Sequence, residues 1–405
     1  MRDKNPKTQD LFPTEQGLVT QMTRMRAWLK RQGNSGRSAS FLILLLVASI
    51  LSGCGGGTRP TTWTGLVVGD GVVYAADLEQ VRALDAETGE VLWSFPDEPN
   101  LREYGPFYTV ALLDEEVLFA TSYERTGGGL VARSHGVLRA LNIESGRQLW
   151  EFAEAGGEFI AAGAVGDNTF IIGNSDGNVY AFHVNDGSPS WSQPFTTGGR
   201  VWATPLVVSD TVYISSLDHN LYALELATGQ EQWRFEAGGA LAGPPLILGD
   251  TLYVGAFDSR LYALRRGDGS PVWQFEGENW FWAPPATDGA RIYAADVDGN
   301  VYALEAESGR EIWRRKIDQP IRLSPIPSQD GQTLLVAGDN GTLHGLDPTD
   351  GFVLWTQPGE GQLASVVVSG EVAYVSRISA AERIQAFYID NGRSLWVYPQ
   401  PGAEE

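Results

Sequence analysis

Short apolar runs alternate with turns rich in glycine, aspartate and asparagine along most of this chain, and the runs are too short for helices. Residues 283–315 show the pattern once through. An apolar stretch starts at Ala283, followed by Ile292-Tyr293-Ala294-Ala295, Val301-Tyr302-Ala303-Leu304 and Ile312-Trp313-Arg314-Arg315. Asp298-Gly299-Asn300 separates the second run from the third, a hairpin signal because glycine and asparagine tolerate positive φ. Glu307-Ser308-Gly309 turns the third run into the fourth. Four strands therefore fit in about 41 residues, and no stretch after residue 60 has a helical period.

The unit recurs. Tryptophans stand at Trp93, Trp150, Trp191, Trp233, Trp273, Trp313, Trp355 and Trp396, at intervals of 57, 41, 42, 40, 40, 42 and 41. Four positions before each is a glycine: Gly89, Gly146, Gly187, Gly229, Gly269, Gly309, Gly351 and Gly392. A four-stranded blade cannot cover both its faces alone, so eight units predict an all-β, eight-bladed β-propeller of four-stranded antiparallel blades. Residues 64–398 hold eight complete sets of four strands, which predicts closure without a strand borrowed across the termini.

The segment Ala83-Leu84-Asp85-Ala86-Glu87-Thr88-Gly89-Glu90-Val91-Leu92-Trp93 resembles the tryptophan-docking motif of the PQQ-like propeller repeat family. The resemblance covers residues 64–398. It implies that the indole of one blade stacks on the peptide plane at the glycine of a neighbour, where a side chain would block the approach. The motif's acidic position drifts: Asp85 and Asp347 fit, Glu225 and Glu305 approximate it, while Asn142, His183, Arg265 and Tyr388 depart. The repeat occurs in quinoprotein dehydrogenases, in BamB-type outer-membrane-assembly lipoproteins and in sensor domains. Eight short blades look most like the BamB-type group. The dehydrogenases carry long insertions, a calcium-bound quinone, a catalytic aspartate and often a vicinal disulfide; one cysteine and 40–42-residue spacing leave no room for these. PQQ and calcium are accordingly not expected, and no catalytic residue is assigned.

The start of the chain adds an anchor. Residues 1–40 carry eight Lys/Arg and three Asp/Glu, and the apolar run Phe41–Leu51 follows. Leu51-Ser52-Gly53-Cys54 resembles a bacterial lipobox, which implies cleavage before Cys54 and lipid attachment to its thiol. The expected division is a signal peptide over 1–53, a lipidated tether over 54–63, the propeller over 64–398 and a short tail over 399–405. The basic stretch is long for a secretion signal, so Met22 and Met25 are alternative starts. The resemblance implies the periplasmic face of the outer membrane in a two-membrane envelope, and the outer leaflet of the cytoplasmic membrane in a single-membrane one.

Composition narrows the partners. The net charge is −21, and −26 once residues 1–53 are removed, so duplex nucleic acid is excluded as the main partner. Acyl chains, not surface charge, must hold so acidic a body at a membrane. The four histidines form no metal-ligand pair, and no GxSxG or HExxH arrangement is present. Asn174-Ser175-Asp176-Gly177-Asn178 and Asp296-Val297-Asp298-Gly299-Asn300 look like fragments of calcium loops but lack the downstream bidentate Glu, so turns are expected there.

Aligning units on Pro205, Pro245, Pro285 and Pro325 puts Trp202, Ala242, Trp282 and Arg322 at equivalent positions, with Phe159 there in unit three. Trp280 and Arg200 flank the two tryptophans. In propellers of this kind that loop and the hairpin between the second and third strands share one face. The expectation is an aromatic, arginine-bearing surface at the channel mouth that grips a protein segment; the alternative is that these rings only fill space between inner strands. Unit two has two long loops on the same face, Asp97–Gly105 and Ser122–His135, the latter with Thr126-Gly127-Gly128-Gly129. No GK[ST] follows, so it is no P-loop. The expected protein is a monomeric, non-catalytic binding or scaffold module with protein partners in the cell envelope. A PQQ-dependent or other redox enzyme and an extracytoplasmic ligand sensor are the alternatives.

Overall fold

In the second strand of the sixth repeat, Arg291–Ala295, the residues Ile292, Tyr293, Ala294 and Ala295 are all at most 1% exposed. A strand buried on both faces needs cover on both sides. Each sheet in this protein supplies that cover to the next. The computed structural model describes residues 65–113, 116–126, 133–378 and 383–399. Cys54, the expected signal peptide and tether, and most of the tail lie outside the described residues.

Eight four-stranded sheets follow one another along the chain, each antiparallel and built from consecutive strands. They form an eight-bladed β-propeller. Blade 6 is Ala286–Thr287, Arg291–Ala295, Asn300–Glu305 and Glu311–Lys316, from the inner strand to the outer. Each apolar cluster straddles two neighbours. Tyr74 and Val81 of blade 1 pack with Leu118 and Leu141 of blade 2, while Val73 and Leu84 of blade 1 pack with Tyr374 and Ala386 of blade 8.

The repeated tryptophan and glycine meet across every blade boundary. Trp93 Nε1 donates to the Ile143 carbonyl at 2.9 Å, and its ring occupies the space where a Cβ at Gly146 would fall. The indoles of Trp150, Trp191, Trp273, Trp313 and Trp355 donate likewise to Val184, Leu226, Ala306, Pro348 and Ile389 of the following blade. Those indoles and that of Trp233 lie on Gly187, Gly229, Gly309, Gly351, Gly392 and Gly269. The glycines also adopt φ near +70°, so two independent constraints select the residue. Opposite the tryptophan on the third strand sits a small residue, as in Ala303↔Trp313 and Gly345↔Trp355, and the ladder shifts register just after it.

Replacing Gly309 with alanine should therefore be costly. The left-handed backbone alone accounts for about 1–2 kcal/mol, and the new Cβ would stand 2.6 Å from Trp273, forcing the indole out of place. Urea unfolding measures it; an unchanged midpoint would show that the contact has slack.

Among the described residues the ring closes by side chains, with no strand shared between the ends. Trp396 of blade 8 docks on Gly89 of blade 1 and donates to the Ala86 carbonyl at 2.9 Å. The Tyr374 hydroxyl reaches the same carbonyl at 3.3 Å. Asp77 Oδ2, only 4% exposed, receives Arg82 of blade 1 at 3.2 Å and Arg383 of blade 8 at 3.0 Å.

Candidate functional site

Two sets of loops meet at one end of the propeller, here called the mouth. In blades 3 to 7 the segment leading to the inner strand is tied to the hairpin between the second and third strands of the same blade by a recurring backbone bond. Leu217 N donates to Arg200 O at 2.9 Å, Phe257 N to Ala240 O at 3.0 Å and Val297 N to Trp280 O at 3.0 Å. Ser175 N to Glu158 O and Asp339 N to Pro320 O, both 2.9 Å, continue the series. This bond supplies the structural alignment of the loops. It places Trp202, Ala242, Trp282 and Arg322 at one position, and Arg200 and Trp280 at another, two residues earlier.

The same alignment corrects unit three. Phe159 is fully buried, equivalent to Val201, Leu241, Phe281 and Ile321, and the mouth position belongs to the half-buried Ile160. Unit three lacks the proline that aligned the others. Gly163 stands in its place because the ring of Phe170 fills the space that any side chain there would need.

Four aromatic rings form a ladder across the mouth. Trp202 and Trp282 have centroids 6.2 Å apart, Trp282 and Phe257 5.2 Å at 27°, and Phe257 and Trp280 5.0 Å at 11°. These spacings fall in the attractive range for offset aromatic contacts. Arg200 lies 6.0 Å from the Trp202 ring and Arg322 5.8 Å from the Trp282 ring. Arg322 is further held by Asp339 at 2.6 Å, whereas Arg200 is exposed. Trp280, at the end of the ladder, is 48% exposed. Phe257, the central rung, comes from the hairpin loop and not from the proline-aligned segment, which is why sequence alignment of that segment missed it. The signal available was an aromatic where the equivalent hairpin positions read Leu217 and Val297.

The hairpins of the mouth are braced by side-chain hydrogen bonds. Third-strand tyrosines donate to loop aspartates: Tyr180 to Asp176 at 2.8 Å, Tyr222 to Asp218 at 2.6 Å, Tyr262 to Asp258, and Tyr302 to Asp296 at 2.8 Å. Burial and the neighbouring carboxylate push the Tyr180 hydroxyl up to about 12. Burial works to raise the Asp218 carboxyl, but hydrogen bonds from Tyr222, Asn220 N and Gly198 N outweigh it and hold it below its usual value. Each of these carboxylates is taken up by local donors, as turn chemistry requires.

Among the described residues no group of three or more His, Cys, Asp or Glu side chains is placed to hold a metal ion. The mouth hairpins of the regular blades are short, and the chain has one cysteine.

Blade 2 departs from the pattern. Its second and third strands, Val117–Thr126 and Arg133–Asn142, stay paired out to Thr126↔Arg133, well past the rim set by Ser215↔Leu221 in blade 4. The glycine run between them, Gly127-Gly128-Gly129, lies outside the described residues. Arg139 braces the base of this arm at 2% exposure. It donates to Ser122 Oγ at 2.6 Å and Glu124 at 2.9 Å, pairs with Glu151 at 2.9 Å, and lies against the rings of Tyr104 and Phe107. The Asp97–Gly105 loop packs here through Tyr104, and Gly105 approaches the Tyr123 carbonyl too closely for any side chain. Sequence reading did not single out Arg139, since an isolated arginine on a strand carries no pattern.

The fold and its docking contacts define an eight-bladed propeller of PQQ-like repeats. The chain belongs to the family described as outer membrane protein assembly factor BamB, whose model matches residues 58–275, 276–329 and 297–405. It is 30% identical over 203 residues to an outer membrane protein assembly factor BamB of Moranella endobia, covering 46% of this chain and 48% of that protein. It is also 32% identical over 166 residues to a tetrathionate hydrolase of Acidithiobacillus ferrooxidans, covering 38% of this chain and 31% of that protein. The aligned regions thus span about half or less of these relatives. The solved structure of BamB from Moraxella catarrhalis superposes with a TM-score of 0.64 at 18% identity, covering 77% of this chain and 92% of that one, a likeness of fold.

Proposed function

We propose that this protein is a non-catalytic scaffold of the cell envelope that binds a protein partner at the propeller mouth, in the manner of an outer-membrane β-barrel assembly factor. The observation that carries the proposal is the four-ring ladder with its two arginines on a propeller of this family. Trp and Arg dominate interface energetics, and the docking repeat uses eight other tryptophans, so folding of the ring does not call for these. In this reading Cys54 carries the lipid, and the anchor holds the acidic body at the periplasmic face of the outer membrane in a two-membrane envelope. The hydrolase relative favours an enzyme as a second reading, but the mouth carboxylates described, such as Asp218 and Asp296, are already engaged by Tyr222 and Tyr302.

Affinity purification of the full chain from its native membrane tests the first reading. Recovery of β-barrel assembly components, absent from a control without the chain, is the expected result. Purification of the intact, membrane-associated protein without them would overturn it.

A further inference from the structure

The outer strands of the propeller are open sheet edges, and half of them, in blades 2, 4, 5 and 6, carry charges of the kind that keep such edges from pairing with other chains, while that of blade 3, Phe195–Thr196, is only two residues long. Blade 4 presents Glu231, Arg234 and Glu236, and blade 6 presents Glu311, Arg314 and Lys316, each on six residues of strand. Three consecutive blades have no such protection. The outer strands of blades 7, 8 and 1 read Val-Leu-Trp-Thr-Gln, Ser-Leu-Trp-Val-Tyr and Val-Leu-Trp-Ser-Phe, without one charge. In a chain of net charge −21, that is an uncharged arc covering three of eight blades.

Blade 7 is the least protected point of the arc. Phe352, Val353 and Leu354 are consecutive, and 62%, 45% and 51% exposed. The Phe352 ring is held at the entry to the strand by Arg315 of blade 6, whose guanidinium lies 4.9 Å from the ring and whose Nε donates to the Gly351 carbonyl at 2.7 Å. The third strand pairs with Val353–Gln357 on one side only, so alternate backbone groups on the other side face away from the sheet.

We infer that the outer strand of blade 7, Val353–Gln357, is a strand-addition site for an extended, uncharged segment of a partner protein bearing apolar side chains. The chemistry selects this occupant. Open backbone donors and acceptors are satisfied by another strand, which lengthens the sheet to five. Side chains of the added strand meet Phe352, Val353 and Leu354, and no residue of Val353–Gln357 carries a charge to match a charged segment. The site lies on the rim, so it is independent of the mouth and does not rest on the reading given above for the mouth.

The test uses the propeller with a fluorescently labelled peptide, acetyl-Gln-Val-Thr-Val-Gln-Val-Thr-amide, and the same peptide with proline at the central position. The variant Val353→Glu/Thr356→Arg transfers the charges of Glu311 and Arg314 to the equivalent positions of blade 7. Both side chains are exposed, and an unchanged unfolding midpoint checks that the fold is kept; Leu354→Lys serves if it is not. The expected result is saturable binding by the wild type, at least tenfold weaker for the variant and for the proline peptide. Peptide binding should also slow amide exchange at residues 353–357. No binding by the wild type, equal binding by the variant, or protection confined to other strands would overturn the inference. So would sedimentation showing wild-type dimers that the variant abolishes, because the edge would then belong to a second copy.

Discussion

Replacing Trp396 with alanine is expected to lower stability by about 3–5 kcal/mol, the range for truncating a large buried aromatic. Trp396 is 8% exposed and sits where blade 8 meets blade 1. The substitution empties the space over Gly89 and leaves the Ala86 carbonyl with only the longer bond from Tyr374. The same truncation elsewhere, for instance Trp273→Ala, removes a comparable contact between blades that are also joined by the chain. At the closing seam the chain offers no such link, and no shared blade substitutes for it. Amide exchange should therefore accelerate first in blades 8 and 1 in Trp396→Ala, and around blades 5 and 6 in Trp273→Ala. The ion pairs of Asp77 with Arg82 and Arg383 remain, but two arginines on one carboxylate oxygen cannot replace the apolar surface lost. Urea unfolding with exchange measured by mass spectrometry separates these outcomes; equal exchange in all blades of the Trp396 variant would mean that the seam is not the weak boundary.

The docking contact explains why the architecture was legible. A tryptophan must face a small residue on its own third strand and a positive-φ glycine on the next blade, so three separate steric demands recur at fixed spacing. Ala303, Trp313 and Gly351 satisfy them once, and six more sets do the same; in blade 3, Trp191 keeps its contact with Gly229 but stands ahead of the short outer strand Phe195–Thr196. Positions governed by contacts between different loops were harder. Phe257 joins the ladder from a hairpin, at a distance along the chain unrelated to the proline alignment that found Trp202 and Trp282. The slip at Phe159 has a local cause: Phe170 occupies the volume beside Gly163, the proline that marks the register in other blades is absent, and the neighbouring aromatic was taken in its place. Arg139 was invisible for another reason. Its significance depends on Glu124, Glu151 and Tyr104, three residues from separate strands and a loop that only the fold brings together.

Exposure divides the ladder into parts with different consequences. Trp202 and Trp282 are half-buried, touch each other and support the arginines, so truncating either should disturb packing as well as recognition. Trp280 stacks on Phe257 through one face and leaves about half of its surface open. Trp280→Ala should therefore change stability by no more than about 0.5 kcal/mol, as expected for a surface position. If the mouth is the partner site, the same substitution removes an anchor residue, for which a loss of 2 kcal/mol or more is typical. That corresponds to roughly a thirtyfold weaker complex. Phe257→Ala should weaken binding too, since Trp280 loses the ring that orients it, but at a measurable cost in stability. Quantifying co-purified partner against unfolding midpoint for the two variants distinguishes recognition from packing. A Trp280 variant that retains both full stability and full partner recovery would show that the ladder stabilises the loops and that binding lies elsewhere. A stable variant that loses its partner would assign the open face of Trp280 to the interface, because no internal contact of that face exists to account for the loss.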